Sequence, residues 1–134
     1  MIMSALFADT FYFLALLNGR DKNHADAARY DAAQPSLVTT AWVLTEVGDA
    51  LSAPENRRVF LGLLDLLREA PEVRIIPPSD NLFERGVGLY RQRSDKDWSL
   101  TDCVSFVVMT DEQITEALTG DRHFEQAGFH ALLK

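Results

Sequence analysis

Ala5-Leu6-Phe7-Ala8-Asp9-Thr10-Phe11-Tyr12-Phe13-Leu14-Ala15-Leu16-Leu17 is an apolar run interrupted once, by an acid and a threonine. The interruption divides it into a short buried strand and a short helix, which Asn18-Gly19 ends. The same alternation continues along the chain. His24 to Ala33 is an alanine-rich helix closed by Gln34-Pro35, and Leu37-Val38-Thr39 is a brief β-prone strand. Thr40 can cap a helix from Ala41 to about Leu51. Ser52-Ala53-Pro54 breaks the pattern before a helix over Arg57–Ala70. Val73-Arg74-Ile75-Ile76 forms a third strand between prolines. Ser79 or Asp80 caps the next helix, which runs to about Arg93. Ser99 starts another whose body is almost wholly apolar and therefore buried. Thr115 to Thr119 is a fourth strand, punctuated by Gly120-Asp121. Phe124 to Ala127 is a helical turn, and His130 to Leu133 offers a last edge strand.

Four or five short strands separated by helices predict an α/β fold, a parallel sheet covered by helices on both faces. At 134 residues the chain is expected to form one domain over 1–134. Its hydrophobic fraction of 47% with 25% charged residues is globular composition. The longest apolar run, Phe11 to Leu17, is far below the roughly 20 residues that span a bilayer, so no membrane role is expected. The N-terminal stretch from Met1 to Leu6 carries no basic segment of a secretory signal. Cys103 is the single cysteine and reads as a small buried hydrophobe. A cytoplasmic protein is the expectation. The net charge of −7 argues against nucleic acid only if the acids are free. Four acids engaged as metal ligands would remove more than half of that charge.

In open parallel sheets, sites form beyond the carboxyl ends of strands. Asp9 follows the first strand and Asp121 the fourth. Asp102 lies in the first turn of the apolar helix at Ser99, in a sequence that resembles a capping box. Capping alone could account for each of these three acids. Glu46 shares a partly apolar helix face with Trp42 and Val43, an unusual place for a solvated glutamate. Gathered in one cleft, the four would repel until a divalent cation bound, and all-oxygen ligands select Mg²⁺ or Mn²⁺ over zinc. Such an ion can activate water and offset charge on a phosphodiester. His24, His123 and His130 are scattered and there is no second cysteine, so a zinc site is not expected. Gly86-Val87-Gly88 sits in a helix and is no phosphate loop.

Ala8-Asp9-Thr10, Thr45-Glu46-Val47, Asp97-Trp98-Ser99-Leu100-Thr101-Asp102-Cys103 and Ala117-Leu118-Thr119-Gly120-Asp121-Arg122-His123-Phe124, in this order, resemble the PIN-domain family, and closely its VapC-type toxins of bacterial toxin–antitoxin pairs. The resemblance covers essentially the whole chain. It implies an endoribonuclease with Asp9, Glu46, Asp102 and Asp121 as catalytic and metal-binding acids around Mg²⁺ or Mn²⁺. Thr10 and Thr119 would be supporting hydroxyls, and Asp97 a further outer acid unless it pairs with Arg93 or Lys96. It also implies RNA as substrate, a homodimer or a dimer of toxin–antitoxin pairs, and an antitoxin partner. Arg122, His123, Arg93 and Lys96 are candidates for RNA contact, with Arg57-Arg58 and Arg91 as further basic clusters. Phe13, Leu17, Leu63 and Leu67 are candidates for the antitoxin face, because the helices over Phe11–Leu17 and Arg57–Ala70 carry surplus apolar surface. A PIN-like domain that binds RNA or protein without cleaving is the alternative. A receiver-type phosphoacceptor domain would need paired acids near Asp9 and a late lysine, both absent.

Overall fold

The computed structural model describes residues 4–134. Met1 to Met3, part of the stretch read above for a secretory signal, lie outside the described residues. The elements run β1 (Leu6–Ala8), α1 (Thr10–Leu17), α2 (His24–Ala32), β2 (Leu37–Thr40), α3 (Ala41–Ala50), α4 (Pro54–Glu69), β3 (Val73–Ile76), α5 (Asp80–Gln92), α6 (Leu100–Asp111), β4 (Glu116–Leu118), α7 (Arg122–Gln126) and β5 (His130–Ala131). The strands make one sheet in the order β3-β2-β1-β4-β5, and every pairing is parallel. All four residues of β2 are buried. Neighbouring strand residues point to opposite faces, so both faces of the sheet are covered.

The order places β1 in the centre. The chain leaves β1 toward β2 on one side and returns at β4 on the other. This is the crevice at which α/β sheets build sites. Thr39 tightens it by donating its hydroxyl to the Ala8 carbonyl at 2.8 Å, immediately before Asp9.

Most of the expected elements stand where the sequence put them. Thr40 caps α3 through the Val43 amide, and Ser79, not Asp80, caps α5 through that of Leu82. α4 starts at Pro54, three residues before the expected Arg57. Proline is a helix breaker in an interior but fits a first turn, where its missing N–H has no role. α7 likewise begins at Arg122, two residues before the expected Phe124, with Asp121 as its cap.

Two packing details fix the elements that carry the site. Gly86 lets α5 approach α6: a Cβ there would meet Val104 Cγ2 at 2.5 Å. α7 is held by the fully buried Phe124, whose ring lies edge-on to Phe106 at 5.0 Å and near Phe7. Trp98 packs on the other side of Phe106 and donates its indole N–H to Gln126. The start of α6 and the whole of α7 are thus locked to one aromatic cluster.

Candidate active site

Asp9 adopts the backbone conformation of a helix N-cap for α1, but its side chain makes no capping bond. It turns instead toward β4, where Thr119 Oγ1 donates to its Oδ2 at 2.8 Å. Thr119 is fully buried and also accepts the Asp121 backbone N–H at 3.1 Å. One hydroxyl therefore joins the ends of β1 and β4. Gly120 makes the close approach possible, since a Cβ there would meet the Phe11 ring at 2.5 Å.

Glu46 reaches the same region from α3 and accepts the Thr10 hydroxyl at 2.6 Å. Asp102 makes the full capping box with Ser99: its amide donates to Ser99 Oγ, and its Oδ2 accepts the Ser99 N–H at 3.1 Å. Asp121 caps α7 by accepting the His123 N–H at 2.9 Å. His123 Nδ1 then lies 3.0 Å from Asp102 Oδ2 and 3.5 Å from Asp121 Oδ1. Each of the four carboxylates has one oxygen fixed by a hydrogen bond. Glu46 Oε2, Asp102 Oδ1 and Asp121 Oδ2 have none among the described residues, and are left for a ligand.

The electrostatics of the cleft favour a cationic ligand. Asp9 is 6% exposed, and among the described residues no lysine or arginine pairs with any of the four acids. Burial, aided by the charges of Asp102 and Glu46 and opposed by the Thr119 and Thr10 hydrogen bonds, pushes Asp9 up to about 7. A buried carboxylate beside two others lacks a counter-charge. The donor set is carboxylate oxygen with one imidazole, which fits a divalent cation of the Mg²⁺ or Mn²⁺ type. Asp102, Asp121 and His123 offer ligand atoms that all lie within 4.8 Å of one another.

The other expected residues are placed differently. Asp97 is exposed and makes no ion pair or hydrogen bond among the described residues. Arg93 and Lys96, its suggested partners, face Asp95 at 3.0 and 4.0 Å, and Arg93 also stands over Trp98. Arg122 is exposed beside Asp121 and free of ion pairs among the described residues. Arg58 lines a distant groove, so not every basic cluster rims the acids. That groove, about 700 Å³ between α1 and α4, is where Phe13, Leu17, Leu63 and Leu67 meet. Phe13, Leu63 and Leu67 are buried there, whereas Val59 and Leu66 are exposed, Leu66 by 68%. The buried Cys103 thiol is pushed up to about 11 by desolvation and carries no reactive character.

Residues 6–130 match the PIN domain family. The chain is 30% identical over 125 residues to the 23S rRNA-specific endonuclease VapC20 of Mycobacterium tuberculosis, in both the CDC 1551 and H37Rv strains. The alignment covers 92% of this chain and 95% of that protein. The crystal structure of VapC20, described as a sarcin–ricin loop cleaving toxin, superposes with a TM-score of 0.86 at 28% identity, over 96% of this chain and 99% of that one. The FitAcB structure from Neisseria gonorrhoeae shares the fold at a TM-score of 0.65 and 14% identity, covering 94% and 95%. The chain belongs to the PIN-domain family, among its VapC-type toxins.

Proposed function

We propose that this protein is a divalent-metal-dependent endoribonuclease that hydrolyses RNA phosphodiester bonds and acts as the toxin of a toxin–antitoxin pair. The observation that carries the reading is the convergence of Asp9, Glu46, Asp102 and Asp121 from four separate elements, each with one oxygen fixed. The likeness to VapC20 supports RNA as the substrate class.

Asp9, Glu46, Asp102 and Asp121 would hold Mg²⁺ or Mn²⁺. A cation bound there supplies an acidified water and a counter-charge for the phosphodiester. Thr119 keeps Asp9 aimed into the cleft and Thr10 does the same for Glu46. The capping box holds Asp102 at the start of α6. Arg122, exposed next to Asp121, is placed to attract a phosphate of the strand.

The antitoxin is assigned to the groove between α1 and α4. The buried Tyr12 hydroxyl lines this groove and has no hydrogen-bond partner, while Val59 and Leu66 expose apolar surface along it. A helix that presents an apolar stripe and one polar group for Tyr12 would complete it. Among the described residues no helix is long and apolar enough to cross a membrane. A homodimer is part of the same reading.

Purified protein incubated with ribosomal RNA and Mg²⁺ or Mn²⁺, followed by mapping of the new ends, tests the activity. Discrete metal-dependent cuts that Asp9→Asn abolishes are expected. RNA left intact by a folded, metal-loaded protein would remove the nuclease reading. Co-expression with the neighbouring gene should relieve growth arrest if that gene encodes the antitoxin.

A further inference from the structure

Resting on the reading of the cleft as a cation site, we propose that His123 is itself a ligand of the ion, and that its imidazole makes the Asp102–Asp121 half of the cleft select Mn²⁺ over Mg²⁺. The ring is aimed inward. Its side chain is 19% exposed, and Nδ1 faces Asp102 Oδ2 at 3.0 Å and Asp121 Oδ1 at 3.5 Å. Asp102, Asp121 and His123 offer ligand atoms that all lie within 4.8 Å of one another, so the ring shares one pocket with both carboxylates. The ring is held in place from both ends. The His123 backbone N–H is bonded to Asp121 Oδ1, and the next residue, Phe124, is fully buried.

The proton balance is simple. To hold an ion through Nδ1 the ring would be neutral with its proton on Nε2, and a proton on Nδ1 would move to Nε2 or, from an imidazolium, to water. Nε2 has no hydrogen-bond partner among the described residues, so nothing opposes this tautomer. The two halves of the cleft then differ in ligand chemistry. Asp9 and Glu46 offer oxygen alone, which suits Mg²⁺, whereas imidazole nitrogen favours a transition ion.

The test uses the full chain with MnCl₂ as the only added ligand. Electron spin-echo modulation of bound Mn²⁺ should show a directly bonded nitrogen. The modulation should change to the ¹⁵N pattern in protein grown with ¹⁵N-histidine. It should vanish in His123→Gln and persist in His130→Gln, whose ring is exposed on β5. Calorimetric titration should find the Mn²⁺-to-Mg²⁺ affinity ratio about 10-fold lower in His123→Gln. Mn²⁺ bound without a nitrogen ligand, as when His123 only orients Asp102, would overturn the proposal. So would an unchanged affinity ratio. If His123→Gln does not fold, isotope labelling of the unsubstituted protein decides alone. Nitrogen coupling in a protein that cuts no RNA would keep this inference and remove the nuclease reading; cleavage without coupling would do the reverse.

Discussion

The two halves of the acidic cleft hold the same kind of side chain by opposite means. Asp9 and Glu46 are held by threonine hydroxyls, and Asp9 is buried deeply enough to lose most of its hydration. Asp102 and Asp121 are held by backbone amides at the starts of α6 and α7, with His123 between them. The first half stores electrostatic cost that a cation relieves, or a proton on Asp9 at low pH. The second is built from capping bonds that the fold needs anyway. Substitutions should therefore separate affinity for the ion from stability of the fold.

The largest effect is expected from Asp9→Asn. Loss of a ligand charge should lower RNA cleavage on the order of 10³-fold, the scale on which preorganised charge acts in active sites. The metal-free fold should persist and melt no lower than the parent, because repulsion with Asp102 and Glu46 is relieved. Asp102→Asn should also abolish cleavage, and asparagine at that position can still accept the Ser99 N–H in the capping box. Loss of cooperative melting in that variant would mean that the cap, not the charge, is its main role.

Thr119→Val comes next. It removes the hydroxyl that aims Asp9 and accepts the Asp121 amide, and metal affinity should fall about 10- to 100-fold. Calorimetry with Mg²⁺ or Mn²⁺ measures this directly. Thr10→Val should act in the same direction through Glu46, and less strongly, since Glu46 is only half-buried.

The pH dependence of the metal-free protein sharpens the contrast further. Asp9 titrates at about 7 when folded against an ordinary value of 3.8. The unfolded chain therefore releases this proton first. The Asp9 contribution to stability is full below 3.8 and is lost as pH rises through 7, by an amount on the order of a few kcal/mol. Melting curves between pH 4 and 8 should show that decline, and Asp9→Asn should flatten it. Saturating metal should reverse it, since only the deprotonated carboxylate binds.

The smallest effect on cleavage is expected far from the cleft. Leu66→Asp, on the exposed edge of the α1–α4 groove, should leave RNA cleavage unchanged and weaken antitoxin binding about 10-fold or more. Equal antitoxin affinity in parent and variant would move the partner elsewhere. Leu63 and Leu67 are poor choices for this test, because both lie in the core and an acid there would unfold α4.

The strand ends were legible because hydrophobic runs stop at Asp9 and at Gly120-Asp121, and an α/β sheet collects its chemistry there. Ser99-x-x-Asp102 announced a helix start, and the structure adds that the cap and the cleft share one carboxylate. Whether Asp9 caps α1 could not be read from the sequence. Its backbone is that of a cap, and only the packing of β1 against β4 draws the side chain to Thr119. His123 was read only as a candidate for RNA contact; its place beside Asp102 could not be read, because it is 21 residues away and no periodicity connects them. On α4 the apolar stripe was clear, but which leucines face the core and which face solvent depends on the angle at which the helix docks. Asp97 shows the opposite limit, a motif residue whose surroundings leave it facing water.

The pairing of β1 with β4 has a consequence in time. Asp9 is made 110 residues before its partner Thr119. Until β4 and α7 have left the ribosome and docked, the cleft lacks half its wall and Asp9 has nothing to turn toward. Such long-range contacts form late in folding. An acidic cleft wired this way stays incomplete through the synthesis of the 110 residues that separate Asp9 from Thr119.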